Sequence, residues 1–98
     1  MNGMSNETTG QCYIKTMLYQ QVAEQAKSFL FSPRFDDELK YNYVCKIKMD
    51  KDISHWDRYC FADQVMGTFK LLVGYYSTRE VIVDYSGQPH HAMIWIKS

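Results

Sequence analysis

The stretch TFKLLVGYYSTREVIVDYSGQPHHAMIWIK, residues 68–97, decides the fold class. Residues 68–76, 79–85 and 91–97 each alternate with period two, and turn-forming residues separate them, which is the pattern of short antiparallel strands. One face would then carry Phe69, Leu71, Val73 and Tyr75, followed by Val81, Val83 and Tyr85 and by Ala92, Ile94 and Ile96. That face is a core. The other would carry Lys70, Leu72 and Tyr76, then Glu80, Ile82 and Asp84, then His91, Met93, Trp95 and Lys97. It is too apolar for simple solvation and too charged for a second core, so a cover is expected, either a partner or the chain's own segment around Trp56 or its N-terminal region. Ser77-Thr78 lacks the glycine or asparagine that a two-residue hairpin turn prefers. Ser86-Gly87-Gln88-Pro89 has the chemistry of a four-residue loop, with glycine free to take positive φ and proline ending the turn.

Upstream the periodicity changes. Ile14, Leu18, Val22, Ala26, Phe29 and Leu30 recur at steps of three and four, with Lys15, Gln20, Glu24 and Lys27 opposite them, which predicts an amphipathic helix stopped by Ser32-Pro33. Residues 1–11 are small and polar and read as a flexible tail, leaving 12–98 as a single domain. Residues 41–49 alternate again, with Tyr41, Tyr43, Cys45, Ile47 and Met49 on one side and Asn42, Val44, Lys46 and Lys48 on the other: a half-buried strand. Ser54-x-x-Asp57 resembles a capping box and predicts a short second helix from about His55 to about Ala62. A competing reading starts a strand near Tyr59 and runs it through a bulge at Gly67.

Ninety-eight residues suffice for one modest core, and 22% charged residues place the chain among ordinary globular domains. Eleven basic residues balance eleven acidic ones, so no net field exists to hold a phosphate backbone, and nucleic-acid binding is not expected. No apolar run approaches the ~18 to 20 residues of a membrane span. Cys12, Cys45 and Cys60 are odd in number and form no C-x-x-C, and residues 1–11 show neither the basic nor the apolar region of a secretory leader. The expectation is free thiols in the cytoplasm. The excess is aromatic, with eight Tyr, five Phe and two Trp, and such side chains serve cores and interface anchors alike.

Catalytic chemistry has little to build on. His90 and His91 are adjacent and would leave a strand on opposite faces, which argues against a shared metal, and no cofactor motif is present. Cys45 sits on an apolar face where a thiol is inert, and Cys60, beside Arg58, is a weak candidate nucleophile. A small metal-independent ribonuclease of the toxin type could recruit Arg58, Arg79, Tyr85 and His91 on an exposed sheet, His91 as acid or base and the arginines on phosphate.

The combined expectation is an α+β domain: one main amphipathic helix packed on an antiparallel sheet of four or five strands, with a short second helix. The expected function is a non-enzymatic protein-binding module that acts by occlusion, like an inhibitor or immunity-type protein of a phage or mobile element. Leu72, Tyr76, Ile82, Met93, Trp95, Lys70 and His91 form its partner surface, and the partner is another protein or a second copy of the chain. The alternatives are the ribonuclease and a homodimer that holds a small ligand between aromatic faces.

Overall fold

A computed structural model describes the backbone of residues 5–87 and 90–98, with side chains from Leu18 onward. Helix α1 spans Ser5–Leu30 and is followed by strand β1, Tyr41–Lys48. Helix α2 spans His55–Val73, and strands β2, Glu80–Asp84, and β3, His91–Lys97, complete the chain. The strands form one antiparallel sheet in the order β1-β3-β2, with the last strand in the centre. The architecture is α+β, with three strands instead of the four or five expected and with two long helices instead of one long and one short.

The difference has one origin: residues 68–73 belong to α2 and not to a strand. Ser54 caps the helix as its spacing to Asp57 predicts, its hydroxyl accepting from the Asp57 N–H at 3.1 Å. The helix does not stop near Ala62, because Phe61, Val65 and Phe69 continue an apolar stripe at steps of four and all three are buried. Of the period-two set 69, 71 and 73, Phe69 and Val73 extend the steps of four and Leu71 does not. Phe69 is 0% exposed and Leu71 63%, so the two side chains leave the backbone in different directions, as in a helix. Gly74, at φ 97°, ends α2 in a conformation that favours glycine and donates its N–H to the Lys70 carbonyl at 2.8 Å.

Gly67 is no bulge. It lies inside α2, exposed, and a methyl group added there would meet nothing within 4 Å. Gly67→Ala is therefore expected to stabilise the protein by about 0.5 to 1 kcal/mol, since alanine loses less backbone entropy in a helix. Urea denaturation followed by circular dichroism measures it, and a stability loss would show that this stretch is not helical.

In α1 the expected stripe is the buried one: Val22, Ala26 and Phe29 are buried together with Ala23, and Leu18 and Leu30 pack against them. Ile14 lies outside the described side chains. The helix begins at Ser5 and so includes residues 5–11 of the expected tail, and residues 1–4 lie outside the described residues. Both helices cover one face of the sheet, where Val81, Ala92, Ile94 and Ile96 close the core. These four are inward positions of the predicted alternation. Gln88 and Pro89 of the expected β2–β3 loop lie outside the described residues.

Strand β1 departs from simple alternation. Tyr43 pairs with Trp95 and Cys45 with Ile94, so Val44 is an extra residue in a β-bulge. A bulge shifts the side-chain phase by one. Cys45, Ile47 and Met49 keep the core side, whereas Tyr41 and Tyr43 turn outward and Asn42 turns inward, 2% exposed. Val44, expected on the outer face, packs partly against the core. Both ends of the inward amide are used: Asn42 Oδ1 accepts from the Asp36 N–H and Asn42 Nδ2 donates to the Asp36 carbonyl, both at 2.9 Å. That pair of hydrogen bonds ties the α1–β1 connection to the sheet and compensates the burial of a polar side chain.

Candidate functional site: the open face of the sheet

The face of the sheet away from the helices carries no second layer among the described residues, and none of its side chains is fully buried. The register arranges them in rows across β1, β3 and β2. Tyr41, Lys97 and Glu80 form one row, Tyr43, Trp95 and Ile82 the next, and Lys46, Met93 and Asp84 the third. Lys48 and His91 extend the pattern at the end. Cross-strand neighbours on one face lie ~4.5 to 5.5 Å apart, so each row is a contact unit.

The apolar centre is the middle row. The Tyr43 and Trp95 rings meet edge to face, with centroids 5.2 Å apart at 67°, an arrangement their quadrupoles favour. Trp95 is only half-buried, and with Tyr41, Ile82, Val83 and Asp84 it lines an open groove of about 350 Å³. Charge surrounds this centre unevenly. Lys46 and Lys48 lie on the β1 side, whereas Glu80 and Asp84 lie on the β2 side. The Ser86 hydroxyl and N–H both donate to Asp84 Oδ1, at 2.6 and 2.9 Å, and hold its carboxyl below the usual carboxylate range. Asp84 therefore keeps its charge. Gly87 comes close to Met93, so the β2–β3 loop borders the face at that end.

Of the residues assigned to this surface from the alternation, Ile82, Met93, Trp95 and His91 are on it. Lys70, Leu72 and Tyr76 are not, because their segment is helix and connection. Lys70 Nζ instead donates to the Ser77 carbonyl at 2.7 Å and clamps the α2–β2 connection. Leu72 packs against the core. Tyr76 stands fully exposed in that connection, beside a separate groove of about 480 Å³ that Phe31, Phe35 and Arg79 also line. Tyr41 and Tyr43 take the vacated places. Strict alternation hid them, and no feature of residues 41–49 announces a bulge at valine.

The residues considered for phosphate chemistry divide. Arg79 pairs with Asp37 at 2.6 Å and lies over the Phe35 ring, at the start of β2. At the other end of that strand Arg58, Tyr85, His90, His91 and Met49 line one cleft of about 110 Å³. Tyr85 donates its hydroxyl to the Arg58 carbonyl at 2.9 Å, and burial pushes its pKa up to about 12, the nearby Arg58 charge opposing. Arg58 Nε is buried without a hydrogen-bond partner. His90 has φ 62°, unusual for a residue other than glycine, and its carbonyl accepts from the Met49 N–H at 2.6 Å.

Cys45 and Cys60 are free thiols, both half-buried, and burial pushes the Cys45 thiol up, away from the reactive thiolate. Among the described residues no cluster of three His, Cys, Asp or Glu could hold a metal ion, and no helix is long and apolar enough to cross a membrane. No protein-family model, curated protein or solved structure matches this chain, so the functional reading rests on its own residues.

Proposed function

We propose that this chain is a non-enzymatic protein-binding module whose working surface is the open face of the sheet, and that it acts by covering a site on its partner. The observation that supports this most directly is the row of Tyr43, Trp95 and Ile82, apolar and uncovered across all three strands. An apolar centre rich in Trp, Tyr and Met with a charged rim is the anatomy of a protein interface. An inhibitor or immunity-type role in the cytoplasm fits a small domain with such a surface.

Trp95→Ala separates anchor from core. On the open face it meets the Tyr43 ring and pairs across the strands with Ile82, so truncation is expected to cost about 1 kcal/mol of folding stability. At the centre of a docking surface the same truncation removes ~2 kcal/mol or more of binding. Thermal unfolding of the isolated protein, set against affinity capture from the native host lysate, reads both. A loss of folding stability as large as ~3 to 5 kcal/mol would make Trp95 a core residue and end the proposal.

A second reading has one observation in its favour, the convergence of Arg58, Tyr85, His90 and His91 on one cleft. A ribonuclease using it would arrest growth on expression, with His91→Ala relieving the arrest and Arg79→Ala, in the distant ion pair, leaving it intact. Absence of RNA cleavage by the purified chain removes this alternative.

A further inference from the structure

The open face is complementary to itself, and the register shows how. Each row runs from β1 through the central β3 to β2. A two-fold axis lying between two copies, parallel to the strands and over β3, keeps every row at its own level and exchanges its ends. Tyr43 of one copy then stands over Ile82 of the other, with the two Trp95 rings beside the axis. Lys46 stands over Asp84 on both sides and Tyr41 over Glu80, while Lys97 of the central strand meets its own copy beside the axis, with Glu80 of each copy in the same row. The alternative axis, across the strands and over the middle row, sets Glu80 of one copy against Asp84 of the other on both sides and gives Lys46 only Tyr41. Only the first axis pairs opposite charges.

We infer that the occupant of this face in the isolated protein is a second copy of the same chain, packed sheet on sheet about a two-fold axis parallel to β3. The inference rests on the binding role proposed for this face and names its occupant. Isologous pairing needs a self-complementary patch, and the basic β1 edge opposite the acidic β2 edge meets that requirement. Aligned sheet packing tolerates a crossing of about 30° between the two strand directions, so the twist of each sheet is accommodated by a small tilt of the axis. With strands of five to eight residues spaced ~4.8 Å apart, the face falls short of the ~800 Å² per partner of a standard interface. The dimer is therefore weak and concentration-dependent. It covers the same row that engages another protein, so the two associations compete.

Sedimentation equilibrium of the full chain tests this, from ~5 μM to ~500 μM to span the dissociation constants of weak dimers. The wild type is expected to rise from the 11.6 kDa monomer toward twice that mass. Lys46→Glu and Asp84→Lys should each hold the protein monomeric where the wild type is dimeric, since each places like charges opposite one another twice. Mixing the two variants should restore a dimer, because Glu at 46 of one then faces Lys at 84 of the other while Asp84 of the first faces Lys46 of the second. Asp84 also accepts the Ser86 hydrogen bonds, so melting curves confirm that each variant folds. Trp95→Glu, which brings two carboxylates to the axis, gives an independent variant expected to be monomeric.

A wild type that stays monomeric over the whole range overturns the inference. So does a dimer indifferent to the single charge reversals and to Trp95→Glu, or a mixture of folded variants that fails to reassociate. A monomer that still captures another protein through Trp95 leaves the binding role standing and removes only the second copy. A dimer that obeys the charge pattern but captures nothing else does the reverse.

Discussion

Phe69→Ala is expected to destabilise the protein by about 3 to 5 kcal/mol, whereas Leu71→Ala, two residues on, should change stability by less than ~0.5 kcal/mol. Phe69 is wholly buried where α2 meets the sheet, among Val65, Val81 and Ile96 in one core. Deleting its ring removes transfer free energy and leaves a cavity that its neighbours fill only in part. Leu71 projects into solvent. For a domain of this size each kcal/mol moves the melting midpoint by ~4 to 8 °C, so Phe69→Ala should lower it by roughly 15 °C or more. The pair is diagnostic, because a strand over residues 68–76 would place both side chains on one face and make both truncations costly. Equal losses in denaturant titrations of the two variants would restore the strand and remove α2 beyond its middle.

Asn42→Ala is expected to cost about 2 kcal/mol, the second largest effect anticipated for a single side chain. Its amide satisfies both backbone groups of Asp36, six residues earlier. Truncation loses two hydrogen bonds and leaves a hole on the inner side of β1. Asn42→Asp should cost more, since a carboxylate can accept from the Asp36 N–H but confronts the Asp36 carbonyl with no proton, and does so buried. Hydrogen exchange at the Asp36 amide provides a local readout: protection is expected in the wild type and lost in both variants. Unchanged protection would mean that the α1–β1 connection is held by other contacts.

Both predictions mark places where local pattern and tertiary structure diverge. Apolar residues at 69, 71 and 73 satisfy period two, yet Phe61, Val65, Phe69 and Leu72 satisfy the helical period over a longer window. A short apolar run fits either period, and length arbitrates in favour of the helix. The capping serine at 54 was legible, and so was the inward alternation of β2 and β3. The outer surface was half legible: Ile82, Met93, Trp95 and His91 follow from alternation in true strands. Lys70, Leu72 and Tyr76 do not belong there, because residues up to Val73 are helix and Tyr76 lies in the connection, where period two does not set the face. Tyr41 and Tyr43 escaped because a bulge is an agreement between two strands, stabilised by what Asn42 finds inside and Trp95 offers outside.

The amino-acid sequence by itself determined that this is an α+β domain with an amphipathic first helix, a capped second helix and a closing hairpin with one apolar face, because capping and periodicity are local properties of the backbone. Only the tertiary structure decided where α2 ends, which strand lies in the centre and which aromatics share the open face with Trp95. Those depend on burial of side chains distant in sequence, where the free energy of closing one core outweighs the weak and ambiguous preferences of any short segment.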